Sequence, residues 1–206
     1  MAHDASIGLR VESGLLSTHL AEAFPPVILS QERVFPADFF DTRLGIISDE
    51  PSYLADDPSP LIGHLVGVRV RRAARVWNGN DFLGLSLLTL TLSAAGQPGV
   101  TTPMMDPMTP ILGPALEVPG GSAEFRFDTT LNGTTPGLYL LELDAWTDTP
   151  GVGGSLPYWI VLNHGMPEHE VDHGIEWVRD NLVPTPGAGV MMVGLTVLAT
   201  RRRRSN

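Results

Sequence analysis

The 206-residue chain contains no cysteine and no lysine. The first absence excludes disulfide scaffolds, thiolate zinc sites and cysteine nucleophiles together, and leaves the compartment open. The second makes every basic residue an arginine, and four of the thirteen, Arg201, Arg202, Arg203 and Arg204, stand side by side near the C-terminus. The nine that remain face 23 acidic residues, so residues 1–200 carry a net charge of −14. A body that acidic is repelled by phosphate backbones, which speaks against a nucleic-acid partner. No G-x-S-x-G elbow, P-loop or dinucleotide fingerprint occurs either. Carboxylates are plentiful, but sequence alone pairs no two of them across a cleft, so no glycosidase is argued.

What is present is a chain with 43% apolar residues, enough for one sizeable core. Ser6-Ile7-Gly8-Leu9-Arg10-Val11 alternates, turns at Glu12-Ser13-Gly14 and returns through Leu15 to Leu20, the pattern of a hairpin. Residues 24–60 are acidic and proline-rich, with short strands expected around Glu32 to Phe39 and no long helix. Residues 65–70 and 74–77 alternate again, and Asn78-Gly79-Asn80-Asp81 reads as a turn into a strand over residues 82–92. The apolar parity of that strand shifts midway, which a bulge or burial on both faces would produce. A proline-rich connection spans residues 104–119, succeeded by strands over 123–128, 138–146 and 157–163. Short strands between Gly/Pro turns predict an all-β body over residues 1–166, a β-sandwich or jelly-roll-like barrel. Pro167 and Glu168 then open an amphipathic helix over 167–182, a stalk or cap, with Val171, Ile175 and Val178 at helical spacing.

Several constellations carry possible chemistry. His169-Glu170-Val171-Asp172-His173 matches H-E-x-x-H, whose histidines share one helix face and can hold zinc while the glutamate acts as base on a bound water. His164, Glu176 or Asp172 could offer a third ligand; His164, His169, Glu170 and His173 form the candidate zinc site, and a zinc-dependent hydrolase is the alternative reading. The motif's place in the first helical turn weighs against it, and a solvated helix face is the simpler expectation. His3 and Asp4 with His19 make a second possible polar or metal cluster. Asp49-Glu50, Asp56-Asp57 and the 78–81 turn offer oxygen ligands suited to calcium, without an EF-hand spacing. Met104, Met105 and Met108 suggest a soft-metal cluster, but the interleaved prolines favour an apolar loop packed on a sheet. Trp77, Trp146, Tyr158 and Trp159 would stack on polysaccharide if exposed on one sheet face, a carbohydrate-binding module being the second alternative; their apolar neighbours favour the core. No catalytic residue and no required cofactor is assigned.

The last residues form three zones. Val183-Pro184-Thr185-Pro186 is a proline-punctuated spacer, residues 187–200 are uncharged and largely apolar, and the four arginines come next. Fourteen helical residues reach about 21 Å, and extension back to Leu182 brings the span near the roughly 30 Å of a hydrocarbon core. The basic block then stays on the cytoplasmic side and everything before it lies outside. This layout resembles the bacterial PEP-CTERM sorting signal: a Val-Pro-Glu-Pro-type motif, a transmembrane helix and an arginine-rich end. Val183, Pro184 and Pro186 match the motif, and Thr185 stands where the family usually has glutamate. The resemblance covers residues 183–204. It implies an exosortase as partner, transient anchoring in the inner membrane, C-terminal processing, and a non-enzymatic structural or binding role at the cell surface or in the extracellular matrix, where extracellular polysaccharide is a possible contact. The body is loosely similar to the uncharacterised domains that precede such tails. Met1 to Ala5 has neither the basic nor the apolar region of a signal peptide, so the leader that export needs is expected upstream of Met1.

Overall fold

The alternation at the start of the chain folds as it reads. In a computed structural model, which describes residues 6–22, 27–42, 45–48, 53–55, 59–120 and 123–184, β1 (Ser6–Glu12) and β2 (Leu15–Glu22) form an antiparallel hairpin. Its two turn residues, Ser13 at φ 53° and Gly14 at φ 79°, both take the left-handed conformation that a tight two-residue hairpin turn needs.

The proline-rich stretch after this hairpin holds more strand than its composition suggests: β3 (Val27–Gln31), β4 (Val34–Asp38), β5 (Phe40–Thr42), β6 (Gly45–Ser48) and β7 (Tyr53–Ala55). Next come β8 (Leu65–Val70), β9 (Arg75–Val76), β10 (Thr89–Ser93), β11 (Val100–Thr101) and β12 (Ile111–Glu117). The chain continues through β13 (Ala123–Phe125), β14 (Asp128–Asn132), β15 (Gly137–Thr147) and β16 (Tyr158–His164) to the helix α1 (Glu168–Asn181). The all-β expectation with one C-terminal helix therefore holds for the described residues.

Three expectations are corrected. Residues 82–88 are not strand: the segment is pinned as a loop, with Val76 N–H donating to Gly84 O and Ser86 N–H to Ala74 O, so regular pairing begins only at Thr89. The parity shift marks this loop-to-strand transition rather than a bulge. The connection over 104–119 contains β12, an edge strand on β8 whose register shifts between Leu112 and Ala115, where Pro114 is tolerated because an edge strand need not donate on both sides. The expected strand over 123–128 ends at Phe125, and β14 starts at Asp128.

The strands divide among three sheets, ordered β13-β7-β1-β2-β3, β11-β10-β14-β6-β5 and β12-β8-β15-β16-β4, with β9 also pairing β15. The three share one core, in which Ile7, Leu9 and Leu16 meet Leu90, Leu92 and Leu131 and the inward side chains of the third sheet, among them Val68, Leu141 and Ile160. At its centre Tyr53 and Tyr158, both fully buried, share a hydrogen bond of 2.9 Å between the first and third sheets.

The outer face of the third sheet is apolar too where α1 lies on it: Val34, Leu138, Leu140, Trp159 and Val161 pack against Phe82, Val171 and Val178. Gly174 sets the depth of the seat, since a Cβ there would stand 3.2 Å from Leu138 Cδ1 and 3.4 Å from the Phe82 ring. Acidic Glu168 and Glu170 in the first turn and Arg179 in the last complement the helix dipole. The chain thus runs along the sheet as a cap, and the N–H groups of Leu182 and Val183 close the helix on Val178 O at 2.9 and 3.3 Å.

The protein's three tyrosines are all pushed above the usual phenol range. Burial raises Tyr53, partly offset by its bond to Tyr158; burial raises Tyr158, helped by Tyr53 and the charge of Asp144; burial raises Tyr139. In the unfolded chain they ionise near pH 10. The proton is held more tightly in the fold, so stability is intact below about pH 10 and is lost as pH rises toward the folded-state values. Absorbance titration of the folded protein is expected to show tyrosinate only above the range of free tyrosine, appearing together with unfolding. Tyr53→Phe should weaken the alkaline loss of stability measured by denaturant titration.

Candidate functional site

The outer face of the third sheet that α1 leaves uncovered is charged. Odd residues of β8 and even residues of β15 point outward there, and the register places Asp144 opposite Arg69. Asp144 is fully buried, yet both its oxygens are occupied: Arg69 Nε donates to Oδ1 at 2.5 Å and an Arg71 terminal nitrogen to Oδ2 at 2.7 Å. Glu142 accepts from Arg71 Nε at 3.2 Å and pairs with Arg72 Nε at 3.0 Å. A carboxylate removed from water is tolerable only with such partners. Burial pulls the Arg71 guanidinium down, but its bonds to Asp144 and Glu142 outweigh this and leave it above its usual range.

Beside this ladder, at the C-terminal end of α1, lies a cleft of about 760 Å³ whose lining includes Arg33, Arg71, Arg72, Glu142, Trp159 and Pro184. Arg33 donates from Nε to Pro157 O at 2.7 Å and its guanidinium sits 5.0 Å from the Trp159 ring centroid; burial lowers its pKa, with the charge of Glu142 opposing. Trp159 Nε1 is buried and has no protein partner. Leu182, Arg72 and Glu142 also line a smaller cavity of about 240 Å³, closed on its other side by Arg75, Phe82, Leu83 and Trp177. The end of α1 therefore stands between two recesses.

The candidate zinc ligands do not converge. His169 is two-thirds exposed, its ring meets that of His173 edge-on at 6.2 Å, and Glu170 turns toward the body, accepting from Trp77 Nε1 at 2.7 Å. His164, at the end of β16, is tied through Nδ1 to Thr135 O at 3.1 Å. Among the described residues no group of three or more His, Asp and Glu side chains is placed to hold a metal ion. α1 begins only at Glu168, so the motif occupies its first turn, and Glu170 accepts from a tryptophan.

The other candidate residues are dispersed. His19 is buried against Ser17 Oγ at 2.9 Å and Glu12 at 3.4 Å, while His3 and Asp4 lie outside the described residues. The 78–81 turn closes on itself, Asn78 Oδ1 accepting from the N–H groups of Asn80 and Asp81. Asp49, Glu50, Asp56 and Asp57 lie outside the described residues. The four aromatics form no exposed platform: Tyr158 and Trp159 are buried, Trp77 and Trp146 half-buried. The methionine loop is not packed on a sheet; Met104, Met105 and Met108 are exposed. Of the sorting motif, Val183 packs against the apolar cluster under α1 and Pro184 lines the larger cleft. Thr185, Pro186, the apolar run 187–200 and residues 201–204 lie outside the described residues. No helix among the described residues is long and apolar enough to cross a membrane.

The arginine–carboxylate ladder was the feature that motif reasoning missed. Its signal was Arg69 near the end of one strand with Arg71 just past it, and Glu142 and Asp144 on another, both at the period of two that places charges on one sheet face. Comparison of the chain with models of protein families, with curated proteins and with solved structures finds no match in any of the three.

Asp144→Asn, which leaves two arginines without their shared charge, is expected to destabilise the fold by about 3 kcal/mol, the low end for a broken buried pair because the arginines keep a third of their surface in water. Glu170→Ala, which orphans Trp77 Nε1, should cost about 1 kcal/mol, whereas His169→Ala should leave the denaturation midpoint unchanged. Urea titration of the three variants checks these values.

Proposed function

We propose that this chain is an exported bacterial envelope or matrix protein with a structural or binding role, sorted through its C-terminal segment and processed there by an exosortase. The observation that carries the reading is the order of residues 183–204: Val183-Pro184-Thr185-Pro186, a fourteen-residue uncharged run, then four arginines. The span from Leu182 to the arginines suits a membrane crossing with the basic end retained inside. The way the body ends also favours it. The helix closes at Leu182, Val183 is still fastened to the cap, and Pro184 is exposed, so the first two residues of the motif directly follow the end of α1. The acidic body, −14 before the terminal arginines, suits a soluble exported domain in contact with cations or polymers outside the cell.

The test is expression behind a secretory leader in a bacterium that has an exosortase and in the same strain with that enzyme deleted. The wild-type chain should lose residues 201–204 only where the enzyme is present. Pro184→Ala and the replacement of all four terminal arginines by asparagine should each leave the full-length chain in the membrane fraction. Full-length protein in both strains would refute the proposal.

A further inference from the structure

From Phe82 to Leu116 the chain carries one charged residue, Asp106, in 35 positions, within a body of net charge −14. That single carboxylate, itself exposed, is engaged by neighbouring donors: Asp106 Oδ1 accepts from Ala73 N–H at 3.1 Å and Oδ2 pairs with Arg75 at 2.5 Å. The same segment fastens the neighbouring loop, since Arg75 also donates to Leu83 O, Val76 N–H to Gly84 O and Ser86 N–H to Ala74 O. Residues 73–76 thus hold two loops together, with Asp106 as their one charged residue. One offers Leu83, Leu85 and Leu87, the other Met104, Met105 and Met108, all exposed, with Leu87 at 89% and Met108 fully exposed. Soluble proteins rarely offer so many large apolar side chains on adjoining loops without a partner.

We infer that these two loops form a lipid-contacting surface, dipping their Leu and Met side chains into the interfacial region of the bilayer that the C-terminal segment enters. This rests on the membrane attachment proposed above. Three observations choose a bilayer over a second copy. The apolar residues sit on projecting loops and not on a sheet or helix face, the geometry suited to insertion among headgroups. The stretch carries a single acid, Asp106, which is paired with Arg75 and lies 3.9 Å from Arg72, so the surface approaches anionic headgroups with less repulsion than the rest of the body meets. Finally, Leu83 of the first loop and Leu182 at the end of α1 line the same cavity, so that loop lies beside the end of α1, which the apolar run follows in sequence.

The lack of cysteine makes the test direct. Leu87→Cys and Met108→Cys on the full-length protein each create a single labelling site, and Glu117→Cys, at the opposite end of β12 about 20 Å along the strand, serves as control. All three replace exposed side chains. Each variant carries a nitrobenzoxadiazole fluorophore and is mixed with vesicles of phosphatidylcholine and phosphatidylglycerol, with and without doxyl groups on the acyl chains. Flotation reports attachment of the chain; fluorescence reports the loops. The inference expects the labels at 87 and 108 to shift to shorter wavelength and be quenched by doxyl lipid, and the label at 117 to do neither. Flotation without quenching at either loop position overturns the inference and leaves C-terminal attachment standing, whereas absence of both flotation and quenching overturns the two together. A shift that appears without vesicles and grows with protein concentration overturns it in favour of self-association.

Discussion

Strand β15 is buried on both faces, and the rest of the molecule is arranged around that constraint. Its odd residues, Tyr139, Leu141, Leu143 and Ala145, enter the core shared by three sheets. Its even residues face the other way and need a second cover. At the start of the strand Leu138 and Leu140 obtain it from α1; further along, Glu142 and Asp144 obtain it from Arg69, Arg71 and Arg72. The two covers are physically different. Each apolar side chain under the helix contributes roughly 1.5–3 kcal/mol by leaving water. The buried Asp144 gains little net stability from its pairs, but a missing partner would cost several kcal/mol, so the ladder acts mainly as a constraint on register between β8 and β15.

That division also fixes where α1 ends. The helix is held by Val171, Gly174 and Val178 over the apolar half of the sheet, and its C-terminal end falls at the border with the charged half, between the two recesses. Val183 packs on the apolar cluster at this border and Pro184 lines the larger cleft beside it. The acid-poor stretch from residue 82 to 116 is anchored at the same border by Arg75 and Phe82. The end of α1 and an acid-poor loop surface thus share one region of an otherwise acidic body.

Much of this was legible from residue patterns. The opening hairpin, β15, β16 and α1 follow from alternation, from apolar runs between Gly/Pro turns, and from helical spacing ending at Leu182. The strands at 27–55 were harder, because prolines and acids mask short elements whose pairing partners are distant in sequence: β4 is set by parallel pairing with β16, and β7 by pairing with β1. Leu83, Leu85 and Leu87 imitate a strand, yet Gly84 and Ser86 bond to the 74–76 segment and hold them out as a loop. The H-E-x-x-H string misleads for a related reason. Spacing puts two histidines on one face, but only tertiary structure supplies a third ligand, and here Trp77 takes the glutamate. The motif at 183–186 is read from sequence order alone.

On the proposed function, the segment from Val183 onward, which follows the end of α1, sorts and anchors the chain and is removed after export. The most direct measurement is the intact mass of the mature protein recovered from the envelope and extracellular fractions of its own cells. The predicted result is a C-terminus at or close to residues 183–186, with the apolar run and the arginines gone. A chain ending at Asn206 and recovered from the cytoplasm would contradict the claim.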